Sequence, residues 1–353
     1  MKVYDTIVIG GGQAGLSVAY FLRRHQIDYL ILDDQEKPGG AWQQTWDSLK
    51  LFSPVTYSSL SGWMMPKGKE EYPTKDEFLE YMAAYEKRYD FSIQRPTTVH
   101  KVLKEDDLFR VETDKGVLYS RTLVSATGSS RNPFIPPYEN RHIFSGTQIH
   151  SVAYRNSTQF IGKKVLVVGG GNSGAQILAE VSKAAQTKWV TLEEPFFLPE
   201  DIDGRYLFNE ATRKFYNKPS TFPHRKDSGK ISLSNIVQVE SVRKARKRSV
   251  YDSAERPFKS LYKDGVIWQD DSKETFDAII WCTGFKANLD HLWSLNIAEN
   301  DRIKTDHTRS IEEPNLWLVG YGSWTGFASA TIYGVGKTAR RTGIEIVESL
   351  NST

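Results

Sequence analysis

Thr6-Ile7-Val8-Ile9-Gly10-Gly11-Gly12-Gln13-Ala14-Gly15 decides the fold. Branched apolar residues read as a short buried strand, the glycines as a tight turn, and Leu16 to Arg24 as an amphipathic helix. The grammar recurs at Val165-Leu166-Val167-Val168-Gly169-Gly170-Gly171-Asn172-Ser173-Gly174, with a helix over Ala175 to Ala184. A second apolar run follows each helix, Tyr29-Leu30-Ile31-Leu32 and Trp189-Val190-Thr191-Leu192, so each copy is a βαβ unit on a parallel sheet. Each copy closes on an apolar run ending in Thr-Gly: Leu123 to Gly128, and Ile279 to Gly284. Gly128 lies 118 residues after Gly10, and Gly284 lies 115 after Gly169. Near-equal spacing implies an α/β chain of two Rossmann-like, three-layer domains, the second nested in the first.

Outside the repeat, Arg131-Asn132-Pro133-Phe134-Ile135-Pro136-Pro137 reads as a rigid connection, because prolines block helix and central strand. Residues 204–260 are polar and weakly periodic, and read as insertion loops and helices. Leu316 to Gly320 reads as a strand, and about Gly334 to Leu350 as a final helix.

The 353 residues suffice for two domains and carry a formal charge of only +3, which gives no reason to expect nucleic acid. The basic run Arg243-Lys244-Ala245-Arg246-Lys247-Arg248 reads as a solvated loop or helix end, with binding of an anion as its alternative. A single cysteine, Cys282, excludes an internal disulfide or a dithiol redox pair and fits a reducing cytoplasm. No apolar run approaches the ~18 residues that cross a bilayer, and the N-terminus does not read as a signal peptide.

Gly10-x-Gly12-x-x-Gly15 is suited to a pyrophosphate. The first glycine allows the turn, the second lets backbone approach the phosphates, and the third lets the helix pack on the strand, with free helix amides at the anion. Asp33, 23 residues after Gly10, is placed to accept hydrogen bonds from ribose hydroxyls, with Asp34 beside it. Gly169-x-Gly171-x-x-Gly174 is the second such loop. Glu193, with Glu194, follows its second strand and favours a free 2′-hydroxyl over a 2′-phosphate, and no Arg or Lys is expected nearby to receive that phosphate, Lys188 standing at the strand's start. NADH is therefore expected to serve at least as well as NADPH, unless Glu193 merely faces solvent. The N-terminal loop is the natural FAD site, since Pro38-Gly39-Gly40-Ala41-Trp42 brings flexible backbone near it. The expected division is residues 1–156 and 284–353 for FAD and 157–283 for NAD(P)H.

Phe144-Ser-Gly146-Thr-Gln-Ile-His150-Ser-Val-Ala-Tyr154, lying between the glycine loops, resembles the F-x-G-x-x-x-H-x-x-x-(Y/F/W) fingerprint of class B flavoprotein monooxygenases. Gly39-Gly40-x-Trp42 and Trp281-Cys282-Thr283-Gly284-Phe285 look like further motifs of that family, and the likeness covers essentially the whole chain. It is closest to small bacterial flavin-containing monooxygenases that accept NADH or NADPH, flavoproteins with two dinucleotide-binding domains. The resemblance implies that NAD(P)H reduces FAD and that O2 then forms a C4a-(hydro)peroxyflavin. One oxygen would pass to a small sulfide or amine, or to a ketone in Baeyer–Villiger fashion. It implies a homodimer acting on small molecules. It places His150, Phe52 and Trp42 nearest the chemistry, His150 as a coupling residue or as a hinge. Around FAD it implies Gln13, Ala14, Ala41 and Val99, then Ala126, Thr127 and Gly128, and finally Gly322 and Ser323. Around the nicotinamide coenzyme it implies Asn172, Ser173, Thr283 and Gly284.

Three departures accompany the likeness. Pro54, in Leu51-Phe52-Ser53-Pro54-Val55, stands where many relatives carry an asparagine near the flavin. Gly322-Ser323 replaces the usual Gly-Asp, and no arginine matches the catalytic one of larger Baeyer–Villiger enzymes. These departures imply some leakage of hydrogen peroxide. Trp42, Trp46, Phe52, Tyr57, Trp63, Trp324 and Phe327 are candidates to wall a dry pocket, or are core. The alternatives to a monooxygenase are an uncoupled NAD(P)H oxidase or flavin-dependent reductase, and a flavin redox sensor acting through a partner.

Overall fold

Strand β1 (Val3–Ile9) owes its place to Ile7 and Val8, which are fully buried, as a central strand of a parallel sheet requires. In a computed structural model describing residues 2–208, 235–326 and 328–352, the chain divides into two units. The first comprises residues 1–43, 53–132 and 286–353; the second comprises 44–52 and 133–285. Phe327 and part of the polar stretch 204–260 lie outside the described residues.

In the first unit β1 leads through α1 (Gln13–Arg24) to β2 (Tyr29–Leu32), which pairs with it in parallel, Ile9 opposite Leu32. α2 (Lys75–Tyr89) starts on a capping box, the Thr74 hydroxyl accepting the Glu77 amide while Glu77 accepts the Thr74 amide. It delivers the chain to β3 (Ile93–Gln94), parallel to β2. β4 (Val99–Glu105), β5 (Leu108–Thr113) and β6 (Gly116–Ser125) form an antiparallel meander whose last strand returns to β1 in parallel. The strand Leu316–Leu318 extends the sheet beyond β6, and the helix Ile332–Asn351 packs on α1.

The second unit has the same order. β7 (Thr147–His150) stands at one edge. β8 (Lys164–Val168), α3 (Asn172–Val181) and β9 (Gln186–Val190) form the βαβ, and β10 (Ala254–Glu255) follows β9 in parallel. A three-stranded antiparallel sheet, β11 (Ser260–Tyr262), β12 (Gly265–Ile267) and β13 (Lys273–Thr275), precedes β14 (Ala278–Trp281). The parallel sheet runs β10-β9-β8-β14-β7, matching β3-β2-β1-β6 and Leu316–Leu318 in the first. The expected pair of nested Rossmann-like folds is present.

The units divide at Asn132/Pro133 and Phe285/Lys286, whereas the sequence reading drew the lines at 156/157 and 283/284. Backbone pairing is the reason: β7 hydrogen-bonds to β14, with His150 opposite Trp281, so the fingerprint segment is built into the second sheet. The segment 44–52 also belongs there. Trp46 is buried in a core with Tyr154, Phe160, Val165 and Trp189, and the Asp47 amide donates to the Arg155 carbonyl at 2.8 Å. No helix among the described residues is long and apolar enough to cross a membrane.

Trp46→Ala should therefore destabilise the second unit by about 3–5 kcal/mol, the usual cost of truncating a buried tryptophan. Urea unfolding followed by amide exchange at β8 and β14 reads this out, and unchanged protection of those strands would contradict the placement of residues 44–52.

Candidate functional site

Each unit builds its site from the same contact. Gly10 has φ +107°, and a Cβ there would lie 2.5 Å from the Ala126 carbonyl oxygen. A Cβ on Gly15 would lie 1.9 Å from the Gly10 carbonyl oxygen, so α1 can sit on the end of β1 only with glycine there. Gly169 (φ +131°) and Gly174 repeat this, the Gly174 Cβ falling 2.0 Å from the Gly169 carbonyl oxygen. Gly12 and Gly171 precede their helices in extended conformation and no side chain among the described residues caps either helix, so first-turn amides are left for an anion. A Cβ on Gly40 would lie 2.8 Å from the Gly12 Cα, so two side-chain-free backbones line the first cradle. The residues present fit a dinucleotide at both loops.

In the first unit Asp33 is 3% exposed at the end of β2. Arg95 reaches its Oδ2 through Nε at 2.7 Å and Nη2 at 2.6 Å, and holds Glu86 with Nη1 at 2.9 Å and Nη2 at 3.0 Å. Burial pushes the Glu86 carboxyl up, against the opposing pull of Arg95. Among the described residues, Asp33 Oδ1 receives only the Gln35 amide at 3.5 Å, so this oxygen keeps accepting capacity. Asp34 instead pairs with Arg131 at 2.9 Å. Gln13 donates to the Ala330 carbonyl and accepts the Trp42 indole N–H at 3.0 Å, fixing Trp42 beside the first turn of α1, edge-on to Phe78. Ala14 is buried, Ala41 is exposed, and Val99 opens β4 half-buried.

The Ala126-Thr127-Gly128 turn is closed from behind. Tyr321 Oη lies 2.7 Å from Thr127 Oγ1 and accepts the Thr127 amide at 3.3 Å. It also lies 2.5 Å from Ser125 Oγ, which contacts His291 Nε2 at 2.9 Å. Burial pushes the His291 imidazole down to about 4, so it is neutral at physiological pH. Beyond Tyr321, the Gly322 amide and carbonyl are both held by Ser329 Oγ, and Ser323 is exposed.

In the second unit the corresponding turn is closed by His150. Its Nδ1 accepts the Val152 amide at 3.2 Å, which places the proton on Nε2, donated to the Gly284 carbonyl at 3.0 Å. Burial lowers its pKa, against the opposing pull of the Gly284 carbonyl. Thr283 Oγ1 donates to the Phe134 carbonyl at 2.5 Å. The Asn172 side chain donates to the Asn235 carbonyl and accepts the Val237 amide, both at 2.9 Å, while Ser173 is half-buried at the helix start. Glu193 is exposed after β9. The expectation that no cation lies near it is corrected. Arg256, following β10, reaches Glu194 at 3.3 Å, because β10 runs parallel to β9 and ends beside it.

Of the aromatic candidates, Trp46 is core and Trp63 packs on Tyr81 beneath Arg88, so neither needs a pocket to explain it. Phe52 packs tilted against Phe208, Tyr57 against Tyr333, and Trp324 against Tyr321. The basic run is structural in large part. Arg246 bonds Gln238 and covers the Phe197 ring, and Arg248 caps carbonyls at the end of α3. Sequence reasoning did not find Arg95, Glu86, Tyr321, His291 or Arg256, because none lies in a motif. Desolvation pushes the thiol of the half-buried Cys282 up to about 12, which disfavours its thiolate.

The family described as pyridine nucleotide-disulphide oxidoreductase matches residues 7–320. The solved structure of a flavin-containing monooxygenase from Stenotrophomonas maltophilia is 40% identical with a TM-score of 0.90, covering 99% of this chain and 100% of that one. The uncharacterized oxidoreductase CzcO of Bacillus subtilis (strain 168) is 32% identical over 341 residues, 96% of this chain and 97% of that protein. A probable indole-3-pyruvate monooxygenase of Arabidopsis thaliana, YUCCA4, is 27% identical over 371 residues, 97% of this chain and 89% of that protein.

The His291 network has a pH signature. The unfolded imidazole binds a proton below about 6.5, but the folded one only near 4, so stability falls as pH drops through that window and is insensitive to this residue above it. His291→Asn should flatten the decline by up to about 1.4 kcal/mol per pH unit between those limits. Urea unfolding at pH 7.5, 6 and 5 checks this, and an identical slope in the variant would refute it.

Proposed function

The chain belongs to the pyridine nucleotide-disulphide oxidoreductase family, in its class B flavin monooxygenase branch, and from that premise we propose that it uses NAD(P)H and FAD to place one oxygen atom of O2 on a small sulfide, amine or ketone, the other leaving as water. What carries this reading is the pair of glycine cradles, each ending a buried strand and opening an uncapped helix, in two units of one chain. FAD, when bound, supplies a hydride acceptor and the means to activate O2.

The first unit is the FAD unit. The backbone of Gly10 and Gly12 and the amides of Gln13, Ala14 and Gly15 hold the pyrophosphate, and Asp33 Oδ1 accepts a ribose hydroxyl. Arg95 neutralises the other oxygen of Asp33 and keeps the carboxylate from rotating. Trp42, held by Gln13, with Gly40 and Ala41, lines the cradle on the flavin side. The Thr127-Gly128 turn and Gly322-Ser323 present backbone to the rest of the cofactor.

The second unit takes the nicotinamide coenzyme on Gly169, Gly171 and the α3 amides, with Thr283-Gly284 as the far wall and His150 positioning that wall through the Gly284 carbonyl. Both imidazole nitrogens are engaged by backbone, so His150 acts by holding the turn. NADH serves at least as well as NADPH, since Glu193 adds negative charge after β9 and Glu194 engages Arg256, the cation that follows β10. A single cysteine, Cys282, leaves flavin chemistry without a dithiol partner and fits a cytoplasmic setting.

A second reading, an NAD(P)H oxidase that releases hydrogen peroxide, is favoured by two positions. Pro54 has neither an amide N–H nor a side-chain donor that it would offer to a bound flavin, and the exposed Ser323 would supply no carboxylate. Peroxide released per NADH consumed, measured with rising methyl tolyl sulfide, separates the two. Peroxide yield should fall as sulfoxide appears in matching amount. Complete recovery of NADH equivalents as peroxide at every sulfide concentration would establish the oxidase.

A further inference from the structure

Strand register makes the two sites comparable residue by residue. In the first unit Ile9 faces Leu32 and Leu32 faces Gln94, so the next step brings Gly10, Asp33 and Arg95 side by side. In the second, Val168 faces Val190 and Val190 faces Glu255, so the next step aligns Gly169, Thr191 and Arg256. The middle glycine of each loop agrees. A Cβ on Gly11 would meet Asp33 at 2.6 Å, and one on Gly170 would meet Thr191 at 3.3 Å. Thr191, not Glu193, therefore stands where the first unit has its ribose carboxylate.

The exchange of Asp33 for Thr191 changes the electrostatics of that position. Arg95 is locked between Asp33 and Glu86 with little exposure. Arg256 has no carboxylate at the aligned position and is held by Glu194 at 3.3 Å, both side chains being more than half exposed. An exposed pair of this kind contributes little and is readily exchanged. Thr191 Oγ1 is buried and has no hydrogen-bond partner among the described residues. The ribose position of the second site thus holds a neutral hydroxyl and an exchangeable guanidinium in place of a carboxylate and a locked one.

We propose that Arg256 is the 2′-phosphate-binding residue of the second site and that Glu194 is its competitor. This rests on the second glycine loop being the nicotinamide coenzyme site. With NADH bound, Arg256 stays on Glu194, and the ribose meets no phosphate-binding demand. With NADPH bound, the guanidinium leaves Glu194 for the phosphate, which offers more charge and a bidentate acceptor. One exchangeable ion pair gives a single site access to both coenzymes.

Anaerobic reduction of bound FAD by each coenzyme, followed at the flavin absorbance in the holoenzyme, tests this. Arg256→Ala should raise the ratio of NADH to NADPH kcat/KM by at least about tenfold, the loss expected for one charge-assisted interaction. Arg256→Lys should restore part of it. Glu194→Gln should move the ratio the other way. Inhibition should agree: the preference of the wild type for 2′,5′-ADP over 5′-AMP should shrink in Arg256→Ala. If both coenzymes reduce the wild-type flavin but the ratio is unmoved by Arg256→Ala and Glu194→Gln, the assignment of Arg256 is overturned while the coenzyme site stands. If neither coenzyme reduces the flavin, the site reading itself falls.

Discussion

A missing side chain sets the geometry of both sites. The Gly15 α-carbon lies against the carbonyl of Gly10, where a Cβ would sit 1.9 Å away, and Gly174 stands in the same relation to Gly169. The close approach seats each helix on the end of its strand and brings free first-turn amides over the sheet's carboxyl edge. Other contacts follow from it. Gln13, in the first turn of α1, spans the Ala330 carbonyl and the Trp42 indole, and Asn172, in the first turn of α3, holds the chain at Asn235 and Val237. Side chains flanking the cradles are placed by helices that only glycine allows to dock.

The turns that face the cradles are locked by different chemistry. In the first unit a buried chain of hydroxyls, Tyr321, Ser125 and Thr127, ends on the neutral imidazole of His291. In the second a single imidazole, His150, bridges the Val152 amide and the Gly284 carbonyl. Both solutions satisfy their polar atoms in a poorly solvated setting, where an unmade hydrogen bond is costly. Each turn is therefore held by contacts within its own unit. The two repeats share backbone topology while diverging in side-chain electrostatics, most visibly where Asp33 and Arg95 give way to Thr191 and Arg256.

The two βαβ units, their glycine turns, the runs closing in Thr-Gly and the nesting of one fold in the other were legible in the sequence, whereas the order of strands in each sheet came from the structure. They follow from local causes: apolar runs bounded by glycine, amphipathic spacing, and an internal repeat whose Thr-Gly landmarks keep nearly the same distance. The fingerprint around His150 was legible as a family signature, but its membership of the second sheet was not, since that depends on β7 pairing with β14 across more than a hundred residues. For the same reason the segment around Trp46 could not be assigned to the second unit. Its tryptophan reads as a pocket candidate until the core it enters is known.

Sequence alone determined the architecture, the number of nucleotide cradles and the absence of a thiol pair, because these depend on residues adjacent along the chain or on composition. Tertiary structure decided what each cradle presents to its ligand. Arg95 meets Asp33, and Arg256 meets Glu194, only because parallel strands far apart in sequence end side by side. Charge at such a site is a sum over neighbours in space, falling off over a few ångströms, and no spacing rule along the chain encodes it.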